Sequence, residues 1–93
     1  MLEEDRIHLF SGLATLTKEN IFKLVIKERD RQDIKYGSIP TYTSFPDYQI
    51  VLMEELGEMN RAYLERDADN FTNETIQSIA VLVAMLEDIT YNG

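Results

Sequence analysis

The amino-acid sequence calls for an all-α fold: a small antiparallel helical bundle, completed by oligomerisation. Apolar residues recur at i, i+3 and i+4 over three long stretches, the period of a helix with one buried face. Both prolines fall in one segment, GSIPTYTSFP (37–46), so a single long break interrupts the helical pattern. The run IAVLVAML (79–86) is apolar on every side, and no second run of its kind exists to pair with it as a strand.

The elements follow in order. Ile7, Phe10, Leu13 and Ala14 outline a short first helix over residues 3–14. Ile21, Leu24, Val25, Glu28 and Gln32 mark a helix over 17–36, with Gly37 suited to the residue just past its end. After the loop, Ser44 and Asp47 form a capping-box variant and Pro46 fits a first helical turn. Tyr48, Leu52, Leu56, Met59 and Tyr63 then carry a helix over 46–66. Residues 67–70 read as a polar turn, after which Thr72 or Asn73 caps a last helix over 73–90. That helix includes Ile76, Ile79 to Leu86 and Ile89, and burying all of it needs partners on all sides. Two other long helices cannot surround it, so at least a dimer is expected, with Ala80 and Ala84 allowing close approach.

Size and composition narrow the chemistry. The 93 residues make one domain, 1–93. A chain this short hides only ~60–65% of its unfolded surface, so it gains from a disulfide, a metal or self-association. With no cysteine, the disulfide scaffold and the thiolate site are excluded, and with a single histidine, His8, a His-rich zinc site is not expected. Oxygen ligands and oligomerisation remain. The net charge of −8 lies entirely in residues 36–93, where Arg61 and Arg66 face ten acids. That half repels a phosphate backbone, so no nucleic-acid polymer is expected as partner. The N-terminal MLEEDRIHLF is acidic where a secretory leader is basic, and the longest apolar run is eight residues against ~20 for a membrane span. A cytoplasmic protein with no membrane partner is the expectation.

The informative segment is MEELGEM. On a helix Glu55 and Glu58 are i, i+3 neighbours, with Glu54 at their edge. Val51 and Ala62 continue the same stripe, so these acids border packed surface, where like charges repel unless a cation lies between them. Glu74 and Gln77 form a second i, i+3 pair fifteen residues after Glu58. Carboxylates projecting from paired helices are a known way to build a metal site in a bundle. With the boundaries above, residue 58 lies ~12 Å before the end of its helix but residue 74 only ~2 Å into the next, so the two levels meet only if the turn lets the chain climb. The competing readings are a solvated acidic face for Glu54, Glu55 and Glu58, and a helix-dipole charge for Glu74.

Three ordered motifs resemble the all-α nucleoside triphosphate pyrophosphohydrolases, the MazG-like group. They are EExxE at Glu54, Glu55 and Glu58, the Glu74-x-x-Gln77 pair where that group carries ExxD, and ERDRQDIKYG (28–37) upstream. The tail IQSIAVLVAMLEDI (76–89) is similar to the group's apolar third helix, so the resemblance covers about residues 18–90. It implies Mg²⁺- or Mn²⁺-dependent hydrolysis of a (deoxy)nucleoside triphosphate to monophosphate and pyrophosphate, of the nucleotide-pool house-cleaning type, by a homodimer or homotetramer. Glu55, Glu58, Glu74 and Gln77 would be metal ligands, and Glu54 would bind metal or orient the water as base. Gln77 replaces the usual Asp, which lowers the site's charge by one while keeping an oxygen donor. Larger relatives contact phosphates through a basic C-terminal helix, so here those contacts are expected from the 17–36 helix or another subunit.

On that helix the candidate substrate-binding residues are Glu28, Arg31, Gln32, Lys35 and Tyr36. Arg31 and Lys35 are i, i+4 neighbours able to reach a triphosphate, and Tyr36 could stack on a base. Arg29, Arg31 and Lys35 read equally well as surface ion pairs, His8 as a surface side chain, and Tyr42, Phe45 and Tyr48 as anchors of loop and core. The functional alternative is a catalytically degenerate helical oligomer acting as a binding or regulatory protein.

Overall fold

The structure, a computed structural model, describes residues 15–36 and 45–92. These form three helices, α1 (Lys18–Tyr36), α2 (Phe45–Leu64) and α3 (Ala68–Asn92), with no strand among the described residues. The fold is all-α. The expected short helix at 3–14, with His8, lies outside the described residues, as do Gly37, Tyr42 and the Ser44 cap.

Thr17 starts α1: its Oγ1 accepts the Asn20 amide at 3.1 Å, satisfying one of the free N–H groups of the first turn. α1 lies against α3, with Val25 buried and Arg29 reaching across to Glu87 at 2.8 Å. Leu56, expected on the inner face of α2, is exposed. The buried side of that helix instead carries Tyr48 and Ala62, with Leu52 and Met59 half-buried between them.

The α2–α3 connection is tighter than the sequence reading allows. Arg66, at φ 59°, takes the left-handed conformation that ends a helix. Its amide bonds the Tyr63 carbonyl at 3.1 Å, and the next amide, of Asp67, bonds the Ala62 carbonyl at 2.9 Å. Asp67 then caps α3, its Oδ1 accepting the Asn70 amide at 3.1 Å. The expected polar turn at 67–70 is therefore the cap and first turn of α3, which begins at Ala68 rather than near 73. Asp69 and Asn70 suit that place because acids and short polar groups are favoured at a helix N-terminus. The Arg66 guanidinium lies 5.1 Å from the centre of the Tyr63 ring, which meets Phe71 at 6.0 Å, so the turn is also packed from outside. Asp67→Ala is expected to cost about 1 kcal/mol, the usual worth of an N-cap, and thermal denaturation reads it directly.

With α3 starting at Ala68, the two i, i+3 pairs stand at matching levels. Glu58 lies six residues before Leu64 and Glu74 six residues after Ala68, so both stand ~9 Å from the turn. Glu55 and Gln77, each nine residues away, stand ~14 Å from it. At the far end the Tyr48 hydroxyl donates to Asp88 Oδ2 at 2.9 Å, with both side chains buried, so α2 and α3 run antiparallel along their length.

α3 is the shared centre, contacted by both other helices. Ala62 is 1% exposed and Ala80 0% exposed, and no large side chain among the described residues is fully buried. The described residues do not cover α3 completely: Leu82, Leu86 and Ile89, spaced i, i+4, i+7, remain exposed. No helix among the described residues is long and apolar enough to cross a membrane.

Candidate metal centre

Helical spacing and the short turn bring three acids from two helices together. Glu55 and Glu58 project from adjacent turns of α2, and Glu74 faces them from the second turn of α3. One oxygen from each of the three lies within 4.8 Å of the others. Oxygens sharing one hard cation at ~2.0–2.5 Å lie at most ~4–5 Å apart, so the group is close to the size that a single ion spans.

Electrostatics point the same way. Glu74 is only 8% exposed, and burial, then the facing carboxylate of Glu55, then that of Glu58, push its carboxyl up from 4.5 to about 7. Oε2 of Glu74 and Oε2 of Glu55 are both buried without a hydrogen-bond partner. Buried carboxylate oxygens are rarely left so, because each forfeits its hydration with nothing in exchange. No Lys or Arg forms an ion pair with any of the three among the described residues. A divalent cation fits this donor set: all ligands are oxygen, the charge is concentrated and two oxygens are unused.

The other expected ligands lie close by. Gln77 is half-buried one turn beyond Glu74, at the level of Glu55. Glu54 is exposed and stands outside the three-carboxylate group, rotated about 100° from Glu55 around the helix.

The α1 candidates sit elsewhere. Glu28 is held by Arg31, whose Nη2 donates to Glu28 Oε1 at 2.6 Å and whose Nε donates to Oε2 at 2.9 Å. Gln32 accepts from Arg29 Nη1 at 2.8 Å. Arg29 in turn bonds Glu87, which lies thirteen residues beyond Glu74, or ~20 Å along α3. The structure therefore does not bring Glu28, Arg31 and Gln32 onto the acidic group of the same chain. Lys35 and Tyr36 close α1, and their side chains lie outside the described residues.

Arg29 itself is the residue the sequence reading undervalued. Bonded to Glu87, Gln32 and Asp33, it is the polar clamp between α1 and α3, and the Glu87 contact and the Asp33 carboxylate hold its pKa above the ordinary arginine value despite partial burial. Its place on the stripe with Val25 and Gln32 was the available signal. Comparison with family models, with curated proteins and with solved structures returns no match.

Proposed function

We propose that the protein is a divalent-metal-dependent nucleoside triphosphate pyrophosphohydrolase, acting as a cytoplasmic homodimer or homotetramer in which the helices form a closed bundle. The observation that carries this reading is the convergence of Glu55, Glu58 and Glu74, with two buried carboxylate oxygens unpartnered. The resemblance of EExxE, Glu74-x-x-Gln77 and ERDRQDIKYG to the MazG-like motifs supplies the reaction class.

In this reading Glu55, Glu58, Glu74 and Gln77 hold Mg²⁺ or Mn²⁺, which when bound neutralises phosphate charge and acidifies water. Glu54, exposed at the edge of the group, orients the attacking water and receives its proton. The new bond joins the water oxygen to the α-phosphorus, the α–β anhydride bond breaks, and pyrophosphate leaves. Arg31, Lys35 and Tyr36, with Glu28 and Gln32, receive the triphosphate and base. Since Arg29 seats Glu28, Arg31 and Gln32 ~20 Å along α3 from Glu74, these three serve the site of a second copy rather than their own. The exposed Leu82, Leu86 and Ile89 stripe of α3 supports such an assembly.

A screen of ordinary and modified (deoxy)nucleoside triphosphates tests the proposal, with pyrophosphate release measured with and without Mg²⁺ or Mn²⁺. Metal-dependent release of pyrophosphate and monophosphate is expected, abolished in Glu58→Gln. No release from any nucleotide, with metal present, favours the degenerate binding or regulatory oligomer.

A further inference from the structure

Gly57 stands near the middle of α2, where glycine costs ~1 kcal/mol relative to alanine. A Cβ built there meets no atom of the described residues within 4 Å, so nothing among them calls for glycine. Around it lies exposed apolar surface: Ile50 is 60% exposed, Met53 72% and Leu64 77%. With Gly57 and Asn60 these residues fall at 50, 53, 57, 60 and 64, the alternating three- and four-residue steps of a coiled-coil seam. By helical spacing this seam runs along the side of α2 opposite Leu52, Met59 and Ala62, away from α3.

The seam is self-complementary about Gly57. Ile50 and Leu64 each lie seven residues from it, one before and one after. Glu54 and Arg61, also seven residues apart, share one flank and carry opposite charges. A two-fold axis through an antiparallel helix pair returns each flank to itself, so Glu54 of one copy meets Arg61 of the other, twice. Ile50 meets Leu64, also twice, and the two glycines let the backbones cross closely. The Glu54–Arg61 contact uses one carboxylate oxygen and leaves the other for water.

We propose that a second copy of this chain docks antiparallel on the outer stripe of α2, crossing at Gly57. This contact is separate from the α3 stripe and does not depend on the metal chemistry.

The absence of cysteine makes the arrangement directly testable in the full chain. Two cysteines join only when their Cα atoms lie within ~4.4–6.8 Å, so oxidative cross-linking reports the register. Gly57→Cys is expected to form a covalent dimer by itself. Ile50→Cys and Leu64→Cys should each stay single alone but cross-link when mixed, which keeps the test alive if Gly57→Cys folds poorly. Self-linking of Ile50→Cys alone means a parallel pair and overturns the proposal. So does the absence of cross-links in all three, whether the parent sediments as a monomer or assembles through other faces, leaving the stripe to residues 1–14 or to another partner. Neither result touches the hydrolysis screen, and failure of that screen leaves this interface standing.

Discussion

Replacing Glu74 by glutamine is expected to raise the melting temperature of the metal-free protein at pH 8 and to remove its response to divalent cations. The substitution keeps the shape of a neutral carboxyl group and deletes a charge that burial, Glu55 and Glu58 all oppose. A carboxyl raised from 4.5 to about 7 in the folded state contributes stability that is fully present below pH 4.5 and lost as pH rises through 7. The parent should therefore lose stability across that window, and the variant should lose less. A bound cation reverses the order, because it favours the charged form and stabilises by RT ln(1 + [L]/Kd), ~2.7 kcal/mol at a hundredfold excess over Kd. With millimolar Mg²⁺ the parent should overtake Glu74→Gln in the same thermal scan. A variant less stable than its parent at every pH, with no effect of metal on either, would mean that Glu74 is an ordinary packed side chain.

Ala80→Leu is expected to produce the largest loss of stability of any single apolar exchange in α3. Ala80 is 0% exposed on the helix that both α1 and α2 contact. A leucine there adds three carbons where no free surface remains, and overpacking of this kind costs ~1–3 kcal/mol or more. For a small domain that is a substantial part of a total of ~5–15 kcal/mol, so a drop of several degrees in melting temperature should be visible. An unchanged melting temperature would show that α3 is not clamped between its neighbours.

Helical periodicity made the extents of α1 and α2 legible to within two residues, although Leu24 and Leu56, read as part of the inner stripes, are exposed. The turn at 65–67 was not legible. Polar residues at 67–70 read as a loop, yet one of them, Asp67, is the cap that draws Asp69 and Asn70 into the helix. The same error hid the match in level between Glu58 and Glu74, so the spacing alone left the acidic group undecided. Its members could be named from EExxE and Glu74-x-x-Gln77. Their convergence needed the left-handed Arg66, a conformation that sequence assigns to glycine far more readily than to arginine. The cross-helix role of Arg29, read only as a surface ion pair, and that of Asp88 were hidden for a different reason. Each residue sits on an apolar stripe and is paired across the helices, to Glu87 and to Tyr48, and such partners are fixed by packing rather than by local spacing. The Ile50, Met53, Gly57 and Leu64 stripe was likewise hidden, because an apolar residue on a helix does not declare which of two faces the chain itself will cover.

The central claim is that Glu55, Glu58 and Glu74 form a divalent-cation site, and calorimetric titration of the metal-free chain with Mn²⁺ measures it most directly. Saturable binding is expected in the parent and in Glu65→Gln, an exposed acid outside the group, and should vanish in Glu55→Gln and in Glu74→Gln. Absence of binding at millimolar Mn²⁺, or binding that survives both of those substitutions, would contradict the account and leave the three carboxylates as an acidic face.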